Sequence, residues 1–289
     1  MRIAVNDTVL YFDVEGSEII PDGPALRQRP VILALHGGPG FDHAYFKPAL
    51  SGLADIAQVI YLDLRGQGRS DRPPIQTCTL EQMADDVAEF CRMLGLDRPV
   101  ILGHSAGGFV ALHLALRHPS TIGRLILVDS AAASADMSEA LARLEQQHGS
   151  AARAAAERTF GGDFSPESMA EFGRLVGPAY VHDPLSSRSV LEAFGRSHFS
   201  AEVARYYFLE RSSHYDLRGC LAEIRVPALV VVGASDWLRA PDASRTIASG
   251  IPGATLLIIP DAGHFSFGEQ PEAFLNAVRH FLPAEPGCH

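Results

Sequence analysis

A serine in the segment Gly103-His104-Ser105-Ala106-Gly107 follows one apolar run, Pro99 to Leu102, and precedes another, Phe109 to Leu116. The two runs predict a strand and a helix, with the serine at the turn between them. Glycines beside the serine leave room for a strained turn that holds its hydroxyl clear of the backbone. The free N–H groups at the start of the helix favour negative charge at the same point. The pattern therefore predicts that Ser105 is a nucleophile.

A serine hydroxyl is a weak nucleophile, so it needs a histidine that takes its proton and a carboxylate that orients the histidine. His264 lies in the loop after the predicted strand 254–259, and Asp236 lies just beyond the predicted strand 228–233. We predict that these two side chains form a catalytic triad with Ser105, in the chain order serine, aspartate, histidine.

Asp236 has two competing interpretations. It could only cap the helix that follows it, and Asp129, at the end of the predicted strand 124–128, is the rival acid of the triad. We favour Asp236 because it follows the last strand but one, whereas Asp129 more simply terminates its own strand. His264 differs from the other histidines of the chain, twelve in all, only in its position.

A glycine-rich loop, His36-Gly37-Gly38-Pro39-Gly40, directly follows the predicted strand 31–35. Glycines allow the backbone to approach a substrate closely and to expose N–H groups. We expect the N–H groups of Gly38 and Ala106 to stabilise an oxyanion, with Gly37 as the alternative to Gly38. The loop lacks the G-x-G-x-x-G spacing and the lysine of phosphate-binding loops, so phosphate binding is disfavoured.

Several further residues are predicted to support the site without reacting. Asp63 ends the predicted strand 59–62, and Arg65 is expected to pair with a carboxylate and so hold a glycine-rich loop beside Ser105. We expect His104 to have a packing role. The other predicted supporting positions are His36, Gly37 and Gly40.

These motifs together resemble the α/β-hydrolase superfamily over essentially the whole chain. They are the loop 36–40, the segment Asp63-Leu64-Arg65-Gly66-Gln67-Gly68-Arg69-Ser70, the turn at Ser105, and the residues Asp236 and His264. The loop at His36 is similar to that of the proline iminopeptidase family, whose members remove an N-terminal proline or similar residue from peptides. That family usually has a tryptophan after the nucleophile and a glutamine where this chain has Leu64. This chain has Ala106 after Ser105, and its turn is similar to that of esterases, lactonases and cofactor-free haloperoxidase-like hydrolases.

The pattern of elements predicts an α/β fold with a mostly parallel central sheet flanked by helices. Strands alternate with helices between residues 31 and 129, which is typical of a parallel sheet covered on both faces. From 131 to about 218 the pattern is helical, and the alternation resumes at Val226. We therefore predict a core in two parts, 1–130 and 219–289, with a helical cap inserted at 131–218 over the strand ends where ligands bind.

Aromatic side chains are frequent in the predicted cap. Filling the small core of the cap explains most of them, but some are expected to line an apolar pocket above Ser105. The predicted pocket residues are Phe41, Phe160, Phe194, Tyr206, Tyr207 and Trp237. A cap glutamate could neutralise the ammonium group of a peptide substrate, although surface solvation is the simpler role for each glutamate.

Composition and charge limit the partners. The chain has 289 residues, 47% hydrophobic, and a net charge of −10 without long charge runs, which disfavours nucleic acid and anionic membranes. Cys78, Cys91, Cys220 and Cys288 lack C-x-x-C spacing, so neither a zinc site nor a disulfide framework is indicated. The predicted acyl transfer on Ser105 implies neither a metal nor an organic cofactor. The chain shows no secretory leader pattern and no run of 18 apolar residues, so we expect a cytoplasmic protein that acts on a small molecule. The sequence leaves the oligomeric state open.

The predicted function is hydrolysis of a small, largely apolar ester or lactone through an acyl-enzyme on Ser105. The alternative is a proline iminopeptidase-like aminopeptidase or amidase. A non-catalytic ligand-binding module of the same fold is the third interpretation, and loss of a triad residue would mark it, but all three residues are present. Epoxide opening is disfavoured, because enzymes of this fold that perform it carry an aspartate at the nucleophile position.

Overall fold

A central eight-stranded sheet organises the computed structural model, which describes residues 1–134 and 137–282. Its strands are β1 (Arg2–Val5), β2 (Thr8–Glu15), β5 (Val31–Leu35), β6 (Gln58–Leu62), β7 (Val100–His104), β8 (Arg124–Val128), β9 (Ala228–Gly233) and β10 (Thr255–Ile259). Across the sheet they follow the order β1-β2-β6-β5-β7-β8-β9-β10. A separate hairpin pairs β3 (Ile19–Asp22) with β4 (Ala25–Gln28). No strand is predicted from the sequence at these positions.

The sheet is mostly parallel, as predicted. Strand β2 pairs antiparallel with both β1 and β6. The remaining neighbouring pairs, β6–β5, β5–β7, β7–β8, β8–β9 and β9–β10, are parallel. All residues of β5, β7 and β9 are buried, as expected of parallel strands that are covered on both faces. The carboxyl ends of these strands consequently meet at one edge of the sheet.

Helices cover both faces of the sheet. They are α1 (Leu80–Leu94), α2 (Ala106–Arg117), α3 (Met137–His148), α4 (Ser150–Phe160), α5 (Pro166–Leu175), α6 (Arg188–Gly195), α7 (Ala201–Tyr206), α8 (Pro241–Gly250), α9 (Ser266–Glu269) and α10 (Pro271–Phe281). One apolar core contains Leu33 and Ile101 with Phe109 of α2, and the other contains Ile32 with Phe274 of α10. Alternate side chains of the strands thus pack in opposite cores. The predicted fold class is confirmed.

The segment between β8 and β9 contains α3 to α7. The domain limits at 130/131 and 218/219 stay predictions. Of the cysteines, Cys78, Cys91 and Cys220 are free thiols, and Cys288 lies outside the described residues. Among the helices of the described ranges, none has both the length and the hydropathy needed to cross a bilayer.

Candidate active site

Ser105 occupies a strained turn between β7 and α2. Its φ of 51° is positive, which is uncommon for a residue with a side chain. A hydrogen bond from its N–H to the Val128 carbonyl, at 2.9 Å, holds the turn, and the Ser130 hydroxyl donates to its carbonyl at 2.8 Å. A Cβ atom on Gly107 would overlap the carbonyl oxygen of Leu35. Glycine is therefore required at this neighbouring position, in agreement with the steric argument from the sequence.

The structure brings the side chains of Ser105, His264 and Asp236 into contact. Nε2 of His264 lies 3.1 Å from Oγ of Ser105, and Nδ1 of His264 lies 2.7 Å from Oδ2 of Asp236. All three residues are buried. The other oxygen of Asp236 accepts hydrogen bonds from the N–H groups of Leu238 and Arg239, both at 2.9 Å. These bonds fix the carboxylate, and the carboxylate fixes the ring, so the geometry permits proton transfer between Ser105 and His264.

Asp129, the alternative acid, has other partners. One of its oxygens accepts from the N–H of Gly233 at 2.8 Å, and the other accepts from the N–H and the hydroxyl of Ser266 at 3.2 and 2.8 Å. Burial, followed by the nearby charge of Asp236, raises the pKa of Asp129 to about 7. Asp129 thus joins the end of β8 to β9 and α9, and it is Asp236 that contacts His264.

The N–H groups of Gly38 and Ala106 are the two donors that the sequence predicts for an oxyanion. The N–H of Gly37 donates to the Tyr45 hydroxyl, and that of Gly40 donates to Oε1 of Gln67 at 2.6 Å. Within the described ranges, the N–H groups of Gly38 and Ala106 donate to no protein acceptor. A Cβ atom on Gly37 would lie 2.8 Å from Cβ of Ser105, so the loop closely approaches the serine. Of the two alternatives, Gly38 is the one with a spare donor.

Tyr45 and His104 connect this loop to the histidine loop through buried hydrogen bonds. Nε2 of His104 lies 2.8 Å from the carbonyl of His264, which can only accept, so Nε2 carries the proton. Nδ1 of His104 is then an acceptor, and the Tyr45 hydroxyl, 2.8 Å away, donates to it while accepting from Gly37. Burial lowers the pKa of His104 well below its ordinary value, consistent with a neutral ring. His104 therefore has a polar positioning role in addition to the predicted packing role.

No sequence motif marks Tyr45, because its link to His104 spans 59 residues. Replacing it by phenylalanine would leave the Gly37 N–H and Nδ1 of His104 buried without a partner. We expect Tyr45→Phe to lower the free energy of unfolding by about 2 kcal/mol. We also expect kcat to fall about 10-fold, with little change in KM, because the donor loop loses its anchor. Urea unfolding and steady-state kinetics measure the two effects, and unchanged values of both would contradict this role.

His36 and Asp63 lie behind the loop and not in the cavity. Nε2 of His36 accepts from the Leu64 N–H at 3.1 Å. Asp63 accepts from Nδ1 of His43 at 2.6 Å and from the N–H of Arg69 at 2.8 Å. Burial acts to raise the pKa of Asp63, but the hydrogen bond from His43 and neighbouring positive charge hold it below its ordinary value. Both residues join neighbouring loops, which is a supporting role.

Arg65 forms a buried pair with Asp86 of α1. Its Nε and Nη2 atoms donate to the two oxygens of Asp86 at 2.6 and 2.8 Å, and Nη2 also donates to Asp7 at 2.6 Å. Both Arg65 and Asp86 are buried. The predicted pairing of Arg65 with a carboxylate is thus present, and it ties the 63–70 segment to α1.

Breaking this pair should be costly, because the buried guanidinium would keep only Asp7, whose side chain is exposed, as a counter-ion. We expect Asp86→Ala to lower the free energy of unfolding by about 3–5 kcal/mol in urea titrations. The adjacent Asp85, which pairs with Arg117 at the surface, is the matched control. Asp85→Ala should cost no more than about 1 kcal/mol. Equal effects of the two substitutions would show that the Arg65 pair does not anchor the segment.

A largely apolar cavity opens above Ser105. It contains about 720 Å³ not filled by atoms, and this volume includes its open mouth. Three predicted residues, Phe41, Phe160 and Phe194, line it. Further lining side chains that the sequence analysis missed are Tyr45, Thr159, Phe164, Met169, Phe172, Tyr180, Phe199, Phe208, Leu238, Arg239 and Phe265. Many come from the helices between β8 and β9, and Ser105 lines the same cavity.

The prediction that Tyr206, Tyr207 and Trp237 line this cavity needs correction. Consecutive residues of a helical turn point in different directions, and just beyond α7 it is Phe208 that reaches the cavity. Tyr206 is partly exposed, and Tyr207 is buried within the apolar core that contains Phe109. Trp237 is 1% exposed and packs edge-on against Tyr180, with ring centroids 5.7 Å apart. It therefore supports the cavity wall from behind.

The lining of the cavity is asymmetric in the sign of its charged side chains. Among the described residues that line it, Arg239 is present and no aspartate or glutamate occurs. In the same ranges, 1–134 and 137–282, no group of three or more His, Cys, Asp or Glu side chains is arranged to hold a metal ion.

The chain is similar to a family model and to several known proteins. A family model described as the alpha/beta hydrolase fold matches residues 30–271. A proposed carbamate hydrolase, RutD, of Caulobacter sp. (strain K31) is 32% identical, with 96% of each chain covered. Proline iminopeptidase PfmaB of Pestalotiopsis fici is 27% identical, covering 95% of this chain and 99% of the relative. The crystal structure of the enol-lactonase from Burkholderia xenovorans LB400 is 26% identical, with a TM-score of 0.76 and coverage of 98% and 100%.

Proposed function

Because the chain belongs to the alpha/beta hydrolase fold family, we propose that it is a serine hydrolase that cleaves a small, largely apolar ester or lactone. The observation that carries the proposal is the hydrogen-bonded series of Ser105, His264 and Asp236, of which Ser105 and His264 line one apolar cavity. The segment 131–218 serves as its cap.

The proposed reaction proceeds in two steps through an acyl-enzyme. Oγ of Ser105 attacks the carbonyl carbon while Nε2 of His264 takes the hydroxyl proton, and Asp236 stabilises the imidazolium. The N–H groups of Gly38 and Ala106 stabilise the oxyanion of the tetrahedral intermediate. His264 then returns the proton to the leaving oxygen, and water activated by the same ring releases the acyl group.

The cavity favours an ester or lactone over a peptide. An aminopeptidase must neutralise the free ammonium group of its substrate in a desolvated site. The described lining of this cavity offers a cation, Arg239, and no carboxylate for that purpose. The similarity to an enol-lactonase supports the same choice. A proline iminopeptidase-like activity is the second candidate, because PfmaB matches 95% of this chain.

A panel of 4-nitrophenyl acetate, 4-nitrophenyl butyrate, δ-valerolactone and proline 4-nitroanilide tests the proposal. We expect turnover of at least one ester or lactone with kcat/KM well above that for the anilide. Turnover of the anilide without turnover of the other three would replace the proposal by the peptidase. Absence of any turnover, together with ligand binding, would favour a non-catalytic binding module.

A further inference from the structure

Arg239 is a buried cation that borders two openings of the molecule. It lies shortly before α8, and only 8% of its surface is exposed. Together with Leu238 it lines the cavity that contains Ser105, and the same two residues line an adjoining groove. Arg239 is therefore part of the wall between the groove and the cavity.

The guanidinium has unsatisfied donors. Its Nε and Nη1 atoms are buried and have no hydrogen-bond partner in the protein. Across residues 1–134 and 137–282, no carboxylate forms an ion pair with it. The guanidinium carbon lies 5.0 Å from the centroid of the Phe109 ring. A ring face attracts a cation, but it does not satisfy the separate N–H donors of an arginine.

The acidic side chains around Arg239 have other partners. In the groove, Glu139 pairs with Arg143 at 3.8 Å and Asp242 with Arg245 at 3.5 Å. Asp236, three residues earlier, uses one oxygen for His264 and the other for backbone N–H groups. The protein thus leaves a desolvated positive charge without a counter-ion in the wall of the cavity that contains Ser105. Such a charge is costly unless it is paired.

We propose that Arg239 binds a carboxylate of the substrate, so that the preferred substrate is an ester or lactone that also carries a carboxylate group. A guanidinium N–H forms a strong, charge-assisted hydrogen bond with a carboxylate, and Arg239 has two N–H-bearing nitrogens, Nε and Nη1, without a partner in the protein. The apolar lining then holds the carbon chain between the carboxylate and the reacting carbonyl at Ser105. This inference rests on the proposed function and adds the charge of the substrate to it.

Paired ester substrates test the inference. The mono-4-nitrophenyl esters of succinic, glutaric and adipic acid carry a carboxylate, and the 4-nitrophenyl esters of butyric, pentanoic and hexanoic acid are their neutral counterparts. For at least one chain length, we expect the ratio of kcat/KM for the anionic ester to that for the neutral ester to be above 10. In Arg239→Met this ratio should fall on the order of 10- to 100-fold, and Arg239→Lys should recover part of it.

Arg245 of α8, exposed and paired with Asp242, is the matched control. Arg245→Met removes the same charge and should leave the ratio within about 2-fold, since surface charges contribute little. A ratio at or below 1 for all three chain lengths, or one that Arg239→Met leaves unchanged, would overturn the inference while hydrolysis itself still supports the proposed function.

A binding measurement separates the two proposals and does not depend on turnover. Glutarate is titrated into Ser105→Ala and into Ser105→Ala/Arg239→Met by calorimetry. We expect at least 10-fold weaker binding to the double variant. If no ester is hydrolysed by the unaltered protein, the proposed function fails, and this titration still decides whether Arg239 binds carboxylates. Arg239→Lys serves in both assays if the methionine variant does not fold.

Discussion

Replacing Ser105 by alanine is expected to lower kcat for ester hydrolysis on the order of 10⁶-fold. The hydroxyl is the only atom of the site that forms a bond to the substrate carbonyl in the proposed mechanism. Without this hydroxyl, the 3.1 Å hydrogen bond to Nε2 of His264 is lost, and His264 has no nucleophile to activate. The same substitution should abolish covalent labelling by a fluorophosphonate, which reacts only with an activated serine. Initial rates and gel detection of the labelled protein measure the two effects.

Ser130 provides the control for this experiment. It is buried close to the turn, and its hydroxyl donates to the carbonyl of Ser105 at 2.8 Å. Because it does not contact His264, Ser130→Ala should retain labelling and most of the activity. If Ser130→Ala abolished labelling while Ser105→Ala retained it, the nucleophile would have been assigned wrongly. Full ester turnover in a folded Ser105→Ala protein would remove the basis of the acyl-enzyme.

Much of the fold could be predicted because its strands are buried on both faces. Runs such as Val31–Leu35 and Ala228–Gly233 are continuous apolar sequences, and such runs mark parallel strands between helices. The hairpin at Ile19–Asp22 and Ala25–Gln28 carries no such signal, because nearly all of its residues are exposed. A strand pair outside the core needs no apolar alternation, and the sequence pattern therefore did not reveal it.

The positions of Ser105, Asp236 and His264 could be read from the sequence because each follows a strand whose carboxyl end lies at the same sheet edge. The roles of Tyr45 and Arg239 could not. Each depends on what packs against it, and their partners are distant in the chain. The same reason applies to the pocket residues. The sequence predicts that some aromatic residues of the cap lie above Ser105, but which of them face the cavity depends on the geometry of the helical turns.

Local hydrogen bonds also distinguish between alternatives that the sequence left open. Gly37 and Gly38 are equivalent donors in the sequence, yet the hydroxyl of Tyr45 accepts from Gly37. Asp129 and Asp236 both end strands, and only the geometry shows which carboxylate meets His264. In both cases the deciding group comes from a different loop, so a single-sequence pattern could not supply it.

Exchange of Asp236 for asparagine is expected to lower kcat on the order of 10⁴-fold. One oxygen of Asp236 accepts from Leu238 and Arg239 N–H groups, and these donors would hold the amide oxygen of the new side chain. Its NH₂ group would then face Nδ1 of His264, which favours the tautomer with the proton on Nε2. In that tautomer the ring cannot take the proton of Ser105. The expected signature is a large loss of kcat in a protein of nearly unchanged stability.

Asp129→Asn should give the opposite result, with kcat reduced less than about 10-fold and the free energy of unfolding reduced clearly. The reason is that an amide cannot accept from all three donors that Asp129 binds.

The effect of Asp129 on the free energy of unfolding also depends on pH. Since the pKa of Asp129 is raised to about 7, the folded protein keeps a proton that the unfolded chain loses near pH 4. The contribution of Asp129 to stability therefore falls as pH rises from about 4 to 7. The free energy of unfolding lost in Asp129→Asn should accordingly be largest near pH 4 and smaller at pH 8. Loss of kcat in Asp129→Asn with retention in Asp236→Asn would instead make Asp129 the acid that orients His264.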